Sequence, residues 1–216
     1  LTKDKPKPML NVGNRPILET IISQFVDAGF HNFYISTYYK AEMVHEYFGD
    51  GSKWGVKIEY LHEKQPLGTA GSLGLLPATI PKLPILVMNG DLLTNVNYNQ
   101  LLDYHIEQGG VATICTREYD FQIPYGVVNT DGTSLISILE KPVHKFFVNA
   151  GIYVLNHSLI NMIDGFNYLD MPDLLENQIK LKKKVNTFPI HEYWVDIGHK
   201  EELDRANKEI SNLFKN

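Results

Sequence analysis

The chain has 216 residues, 44% of them hydrophobic and 21% charged, with a formal net charge of -5. That suffices for one large α/β domain with a well-buried core, and the acidic balance excludes a protein whose main partner is nucleic acid, because no broad basic stripe is present to neutralise a phosphate backbone. The one cysteine, Cys115, excludes an internal disulfide and fits a reducing cytoplasm, and no apolar run is long enough to span a bilayer.

In chain order, Lys5-Pro6-Lys7-Pro8-Met9-Leu10 is held extended and rigid by its two prolines, which aims a lysine at a fixed point. Ile17, Leu18, Ile21, Ile22, Phe25 and Val26 recur at helical spacing, and Gly29 follows as a stop signal. A strand is expected over Phe33–Thr37, a helix from about Lys40 to Phe48 and a strand over Val56–Leu61. Pro66-Leu67-Gly68-Thr69-Ala70-Gly71-Ser72 then opens a helix running through Leu76. Ile85-Leu86-Val87-Met88 is a continuous apolar run, as in a parallel strand covered on both faces. From Gly110 the pattern turns strand-rich, with strands expected over Val111–Thr116, Tyr125–Asn129, Leu135–Leu139 and Ala150–Leu155. Helices return at Met171–Leu181 and Lys200–Phe214, and Lys182-Lys183-Lys184 caps a helix end in solvent. The repeated β-α alternation predicts an α/β fold with a mostly parallel, Rossmann-like central sheet and helices on both faces. No internal repeat or long linker divides the 216 residues into more than one domain.

Several positions carry chemistry, each with an ordinary alternative. A glycine-rich turn opening a helix lets backbone N–H groups approach an anionic ligand. Asp91, in Asn89-Gly90-Asp91, ends an apolar strand at the edge where open α/β sheets bind ligands, or is a turn aspartate. Asp196, in Trp194-Val195-Asp196-Ile197-Gly198, also ends a strand, or is a helix cap. Two such carboxylates suit a hard cation. Lys7 is a lysine aimed at a fixed point, or a solvated loop lysine. Glu140-Lys141-Pro142 offers a carboxylate for sugar hydroxyls and an ammonium for a phosphate, or a surface charge pair. Asn149 bonds a sugar hydroxyl, or forms an Asx turn. Gly126, in Pro124-Tyr125-Gly126-Val127-Val128, lets a ligand touch backbone, or begins a strand with a bulge. The eight histidines show no i,i+3 or i,i+4 pairing, which excludes a zinc hydrolase, and neither a Gly-x-Ser-x-Gly elbow nor a Walker A loop occurs.

Read in order, these segments, together with Lys3-Asp4 before the Lys5 segment and Ala150-Gly151-Ile152-Tyr153 after Asn149, resemble the sugar-1-phosphate nucleotidylyltransferases over nearly the whole chain. The Pro-Leu-Gly-Thr-Ala-Gly form resembles the mannose-1-phosphate guanylyltransferase type and its bacterial relatives. The resemblance implies the nucleotide-diphospho-sugar transferase fold and the reaction of an NTP, GTP first, with a sugar 1-phosphate, giving an NDP-sugar and pyrophosphate with Mg²⁺. It implies that Asp91 and Asp196 hold Mg²⁺ and that Lys7 offsets charge on the nucleotide phosphates. Gln65, Gly68 and Thr69 would lie on the nucleotide, with Gln65 and Gly68 at the base. Gly126, Glu140 and Asn149 would hold the sugar and Lys141 its phosphate. The family places a central strand and a glycine-rich loop ending in Gly-Thr-Arg-Leu just before the Lys7 segment. That strand and loop are expected upstream of Leu1, with room for a further domain before them. Homo-oligomers are compatible with the resemblance. Two rivals stand beside this reading. A metal-dependent glycosyltransferase would carry Asp-x-Asp, where this chain has Asp91-Leu92-Leu93. A non-catalytic sugar-nucleotide-binding regulatory subunit is opposed by the presence of Lys7, Asp91 and Asp196 and favoured by the missing glycine-rich loop.

Overall fold

The computed structural model describes residues 4–213. A 3-10 turn over Lys7–Met9 leads into the short pair β1 (Asn11–Val12) and β2 (Arg15–Pro16). Helix α1 (Ile17–Asp27), β3 (Asn32–Thr37), α2 (Ala41–Phe48) and β4 (Lys57–His62) follow. The short helix α3 (Gly68–Gly71) precedes β5 (Ile85–Met88), β6 (Leu92–Thr94) and α4 (Tyr98–Gln108). The second half comprises β7 (Ala112–Gln122), a hairpin of β8 (Val127–Asp131) and β9 (Ser134–Leu139), β10 (Val143–Leu155) and α5 (His157–Ile160). It ends with α6 (Met171–Lys180), β11 (Val185–Ile190), β12 (Trp194–Asp196) and α7 (Lys200–Leu213). Phe214, expected in the last helix, lies outside the described residues, as does Lys3 of the first motif.

The α/β class holds, but the sheet is mixed rather than mostly parallel. Its order is β11-β7-β10-β5. Only β11 runs parallel to its neighbour β7, while β10 is antiparallel to both β7 and β5. The connections explain this. The β8–β9 hairpin carries the chain from β7 straight back along β10, whereas parallel neighbours need a crossover. The pair β3 and β4 is parallel, and β6 pairs with β12 antiparallel.

Helices do cover both faces. Successive side chains of β10 point to opposite sides, as a pleated strand requires. Ala150, Ile152 and Val154 enter a core with residues of α1, α4 and α7, whereas Tyr153 and Leu155 enter a second core with α5 and α6. Cys115 is buried in the first core, and burial pushes its thiol up to about 12, so it is a packing residue. The buried His105 is also structural, within hydrogen-bonding distance of Thr113 Oγ1 (2.8 Å) and Asn156 Oδ1 (3.1 Å).

Three expectations about these elements need correction, and two elements were not expected. Ile85–Met88 is half-buried rather than covered on both faces, because β5 pairs only with β10 among the described residues. Its other edge faces a cavity of about 750 Å³, lined by apolar residues of α1, β3 and β5. The helix expected through Leu76 stops at Gly71 and tightens into a 3-10 turn over Ser72–Leu75, with Gly74 flat against the backbone of Gly165. The strands expected at Val111–Thr116 and Ala150–Leu155 extend to Gln122 and back to Val143, forming one long ribbon. Helix α4 and strand β11 carry little sequence signal. Helix α4 buries only Tyr98, Leu101 and His105, and starts from the Asn97 cap, whose side chain accepts from Gln100 N at 3.0 Å. Strand β11 contains Pro189, which is tolerated because β11 is an edge strand. The lysine run does end a helix. Lys182, in the left-handed region at φ 57, donates to Ile179 O, and Lys183 donates to Gln178 O, closing a Schellman motif on α6.

Candidate active site

The structure brings Asp91, Asp196 and Lys7 to one point. The β6–β12 ladder sets Asp196 opposite Leu92, next in sequence to Asp91, and Ile197 N donates to Asp91 O at 3.0 Å. Opposed antiparallel residues lie about 4.5–5.5 Å apart at Cα, and one further residue adds about 3.8 Å. The two aspartates are thus within about 9 Å at Cα. Lys7 Nζ reaches Asp91 Oδ2 at 3.1 Å. Desolvation, followed by the Asp91 charge, holds the Asp196 carboxyl above the usual carboxylate range, and Lys7 pulls the other way.

Packing fixes this cluster. Lys7 does not sit in an extended segment as expected. Pro6 is extended, but Lys7–Met9 forms a 3-10 turn, a start for which proline's fixed φ is suited. Met9 is buried, and Pro8 lies against Gly90, where an added Cβ would meet Pro8 Cγ at 3.1 Å. On the other side Trp194 Nε1 donates to Ala150 O at 2.8 Å, and Arg117 donates to Ile190 O and Glu192 O. Trp194 and Arg117 hold the segment leading to Asp196, and the sequence reading gave neither of them a role. Trp194 stands two residues before Asp196 in the motif itself, whereas nothing local marks Arg117.

Asn149 belongs to the same framework. Its Oδ1 accepts from Gly151 N at 2.9 Å, and its Nδ2 donates to Tyr153 OH at 2.7 Å. The Asx turn read as the alternative is therefore present, at a bulge where β10 shifts register against β7. Gly151 adopts φ +71, and a Cβ there would meet Asn89 Nδ2 at 2.8 Å and Leu92 Cδ1 at 2.9 Å, so only glycine fits beside the Asn89-Gly90-Asp91 turn.

The glycine turn forms a second cluster. Gln65 Nε2 donates to Phe166 O at 2.9 Å, and Leu67 N donates to Glu63 Oε2 at 2.8 Å. Three of the N–H groups read as donors to an anion are already engaged within the chain. Thr69 N donates to Asp170 Oδ1, and Ala70 N and Gly71 N both donate to Leu169 O. The turn therefore offers a ligand its outer surface at Gln65, Gly68 and Thr69 rather than a nest of free amides. Gly68 and Thr69 line the same cavity as Asn89 and Gly90, the two residues before Asp91.

Gly126, Glu140 and Lys141 make a third cluster at the base of the β8–β9 hairpin. A Cβ on Gly126 would lie 3.1 Å from Glu140 Oε2. Lys141 N donates to Tyr125 O, and Lys141 sits at φ 45, an unfavourable conformation for a residue with a side chain. This cluster is not joined to Asn149. Val143 precedes Asn149 by six positions of the ribbon, roughly 20 Å at about 3.3 Å per residue.

The donor set suits a divalent cation. Two carboxylates face one ammonium, which leaves excess negative charge at the strand ends. Among the described residues no group of three His, Cys, Asp or Glu side chains forms a complete cage. Two carboxylates with the remaining ligands from phosphate oxygens and water is the usual arrangement for Mg²⁺. Asp91 is followed by the buried Leu92 and Leu93, each 1% exposed, so the Asp-x-Asp pattern is not met at Asp91.

The nucleotidyl transferase family profile matches residues 1–212. A mannose-1-phosphate guanyltransferase of Pichia angusta is 35% identical, covering 99% of this chain and 63% of that one. The enzyme of the same name from Debaryomyces hansenii is 34% identical, covering 94% and 58%. The chain thus spans about three fifths of the length of these relatives. Among solved structures, HddC from Yersinia pseudotuberculosis superposes with a TM-score of 0.76 at 23% identity, covering 97% of this chain and 92% of that one. A putative glucose-1-phosphate thymidylyltransferase from Bacillus anthracis gives 0.77 at 21% identity, covering 100% and 90%. At these identities the structures speak to the fold alone.

The raised carboxyl of Asp196 yields a stability prediction. The native state holds that proton more tightly than the unfolded chain, so stability falls as pH rises from about 3.9 through the raised value. Asp196→Asn removes the penalty. Its melting temperature should exceed that of the unsubstituted chain at pH 7 and match it near pH 3. The gain is small, since much of Asp196 is open to solvent. Calorimetry showing the variant less stable at pH 7 contradicts a native-state cost of ionising Asp196, to which desolvation contributes first and the Asp91 charge second.

Proposed function

This chain belongs to the nucleotidyl transferase family, and from that premise we propose that it transfers NMP from an NTP, GTP before others, to a sugar 1-phosphate, releasing pyrophosphate. The observation that carries the reading is the meeting of Asp91, Asp196 and Lys7 at the ends of β5 and β12. The guanyltransferase relatives support GTP, and the one buried cysteine supports a cytoplasmic location.

The nucleophile is a phosphate oxygen of the sugar 1-phosphate. It attacks the α-phosphorus in line, the bond from that phosphorus to the bridging oxygen breaks, and the electron pair leaves with pyrophosphate. The nucleophile is already anionic, so no general base is required, and catalysis consists of positioning and charge neutralisation. Asp91 and Asp196 would hold Mg²⁺, which supplies positive charge to the phosphate oxygens. Lys7, given up by Asp91 as phosphates arrive, would place its ammonium on the nucleotide. Gln65 and Gly68 would meet the base, with Thr69 beside them. Gly126, Glu140 and Asn149 would receive the sugar and Lys141 its phosphate, which requires the hairpin to approach the Asn149 bulge.

The slot between β3 and β5 bears on the expected extra strand. Among the described residues β3 pairs only with β4, and both free edges border one apolar cavity. We propose that an extended strand from outside these residues fills it. With its carboxyl end toward Gly90, the loop after that strand would reach the Gly68 turn and Asp91. Amide exchange in the intact natural protein should show slow exchange along both β3 and β5. Fast exchange along both strands in the folded protein contradicts a strand in the slot.

Turnover tests the activity directly. Pyrophosphate release is expected with GTP and a sugar 1-phosphate, above ATP, UTP and dTTP. Asp91→Asn and Asp196→Asn should each cost on the order of 10² or more in kcat/KM. Lys7→Ala should cost about 10² while moving the melting temperature by no more than about 4 °C, since a part-exposed ion pair contributes only about 0–1 kcal/mol. No pyrophosphate with any NTP and sugar 1-phosphate would falsify the reading.

A further inference from the structure

Asp170 and Thr69 exchange helix caps across a long sequence separation. Asp170 stands at the N-terminus of α6, where an aspartate normally caps its own helix, yet it makes no such bond. Its Oδ1 instead accepts from Thr69 N at 3.1 Å and from Thr69 Oγ1 at 3.3 Å, at the start of α3. In return Thr69 Oγ1 accepts from Met171 N at 2.8 Å, at the start of α6. Tyr168 OH donates to Asp170 Oδ2 at 2.8 Å and holds the second oxygen. The Thr69 amide and the Tyr168 hydroxyl keep the Asp170 carboxyl below the usual carboxylate range, so it stays ionised at neutral pH.

Backbone contacts run beside this exchange. Leu169 N donates to Leu67 O, and Leu169 O receives Ala70 N and Gly71 N. A Cβ on Gly68 would lie 2.6 Å from Leu169 O and 2.9 Å from Asp170 Oδ1, so the turn rests directly on this segment. Met171, Leu174 and Leu175 anchor α6 in the second core, together with Ala70 and Leu73 that follow the turn. The glycine turn and the start of α6 are therefore one unit, with Asp170 and Thr69 at the seam and Gly68 and Thr69 lining the cavity.

We propose that Asp170 is a positioning residue for the nucleotide, setting through Thr69 the height and tilt of the Gly68–Gly71 turn over the cavity mouth. This rests on the reading that the turn meets the nucleotide. Thr69 and Tyr168 are exposed and Asp170 is half-buried, so loss of the seam need not unfold the chain. It should displace Gly68, whose position decides how closely a base can approach.

Steady-state kinetics on the intact protein tests this. Asp170→Ala and Thr69→Val should each raise KM for GTP about tenfold, with KM for the sugar 1-phosphate within twofold. Thr69→Ser keeps the hydroxyl, and Asp170→Asn keeps an acceptor for Thr69 while its amide can donate to Tyr168 OH. Both should restore KM for GTP to within about threefold of the unsubstituted protein. Adding Asp170→Ala to Thr69→Val should raise KM for GTP by less than the two single effects combined, because the pair acts as one device. A lower melting temperature with unchanged KM for GTP overturns the positioning role and leaves a purely structural cap. Equal rises in both KM values overturn it too. Absence of turnover in the unsubstituted protein overturns the functional reading beneath it.

Discussion

The antiparallel pairing of β6 with β12 is the constraint on which the candidate site depends. It sets Asp196 opposite Leu92, bonds Ile197 N to Asp91 O, and so forces together two carboxylates that would repel in isolation. The surrounding packing bears that cost. Leu92, Leu93, Val195 and Ile197 are buried in the largest core, and their burial offsets the repulsion of the charges they carry to the surface. Trp194, through its bond to Ala150 O, locks the arriving strand to the central sheet.

Around that pairing the site is assembled from opposite ends of the chain. Lys7 comes from the first described turn, Asp91 from the end of β5, the Gly68 turn from before β5, and Asp196 from near the last helix. The mixed sheet makes this convergence workable. Because β10 runs antiparallel to β5, its bulge at Asn149–Gly151 falls beside Asn89 rather than at the far end of the sheet. The side chains of Lys7, Asp91 and Asp196 are thereby gathered where β5 and β12 end, while Glu140 and Lys141 stand at the base of the hairpin farther along the ribbon.

The sequence spoke clearly where local chemistry decides the outcome. The α1 stripe, the strand before Asp91, the helix end at the lysine run after α6 and the pairing of motif residues with strand ends all depend on spacing, turn residues or terminal charge. It was silent where tertiary partners decide. Sheet direction depends on which strands a hairpin brings together, so one half-buried strand such as β5 reads like a parallel one. Helix α4 has a polar, weakly periodic sequence, and its buried residues are specified by a sheet that local pattern does not reveal. The glycine turn misled in a physical way. Its residue types suit an anion-binding nest, but Leu169 and Asp170, a hundred positions away, take its amides. Arg117 carries no local signal, since its partners are the main chain of Ile190 and Glu192.

Whether Asp91 and Asp196 share one divalent cation is the point on which the proposed chemistry stands. Electron paramagnetic resonance of Mn²⁺, used in place of Mg²⁺, measures this directly in the presence of GTP. The expected result is one tightly held Mn²⁺ per chain, weakened at least tenfold by Asp91→Asn and equally by Asp196→Asn. Mn²⁺ bound as tightly by both variants as by the unsubstituted protein would contradict the shared site.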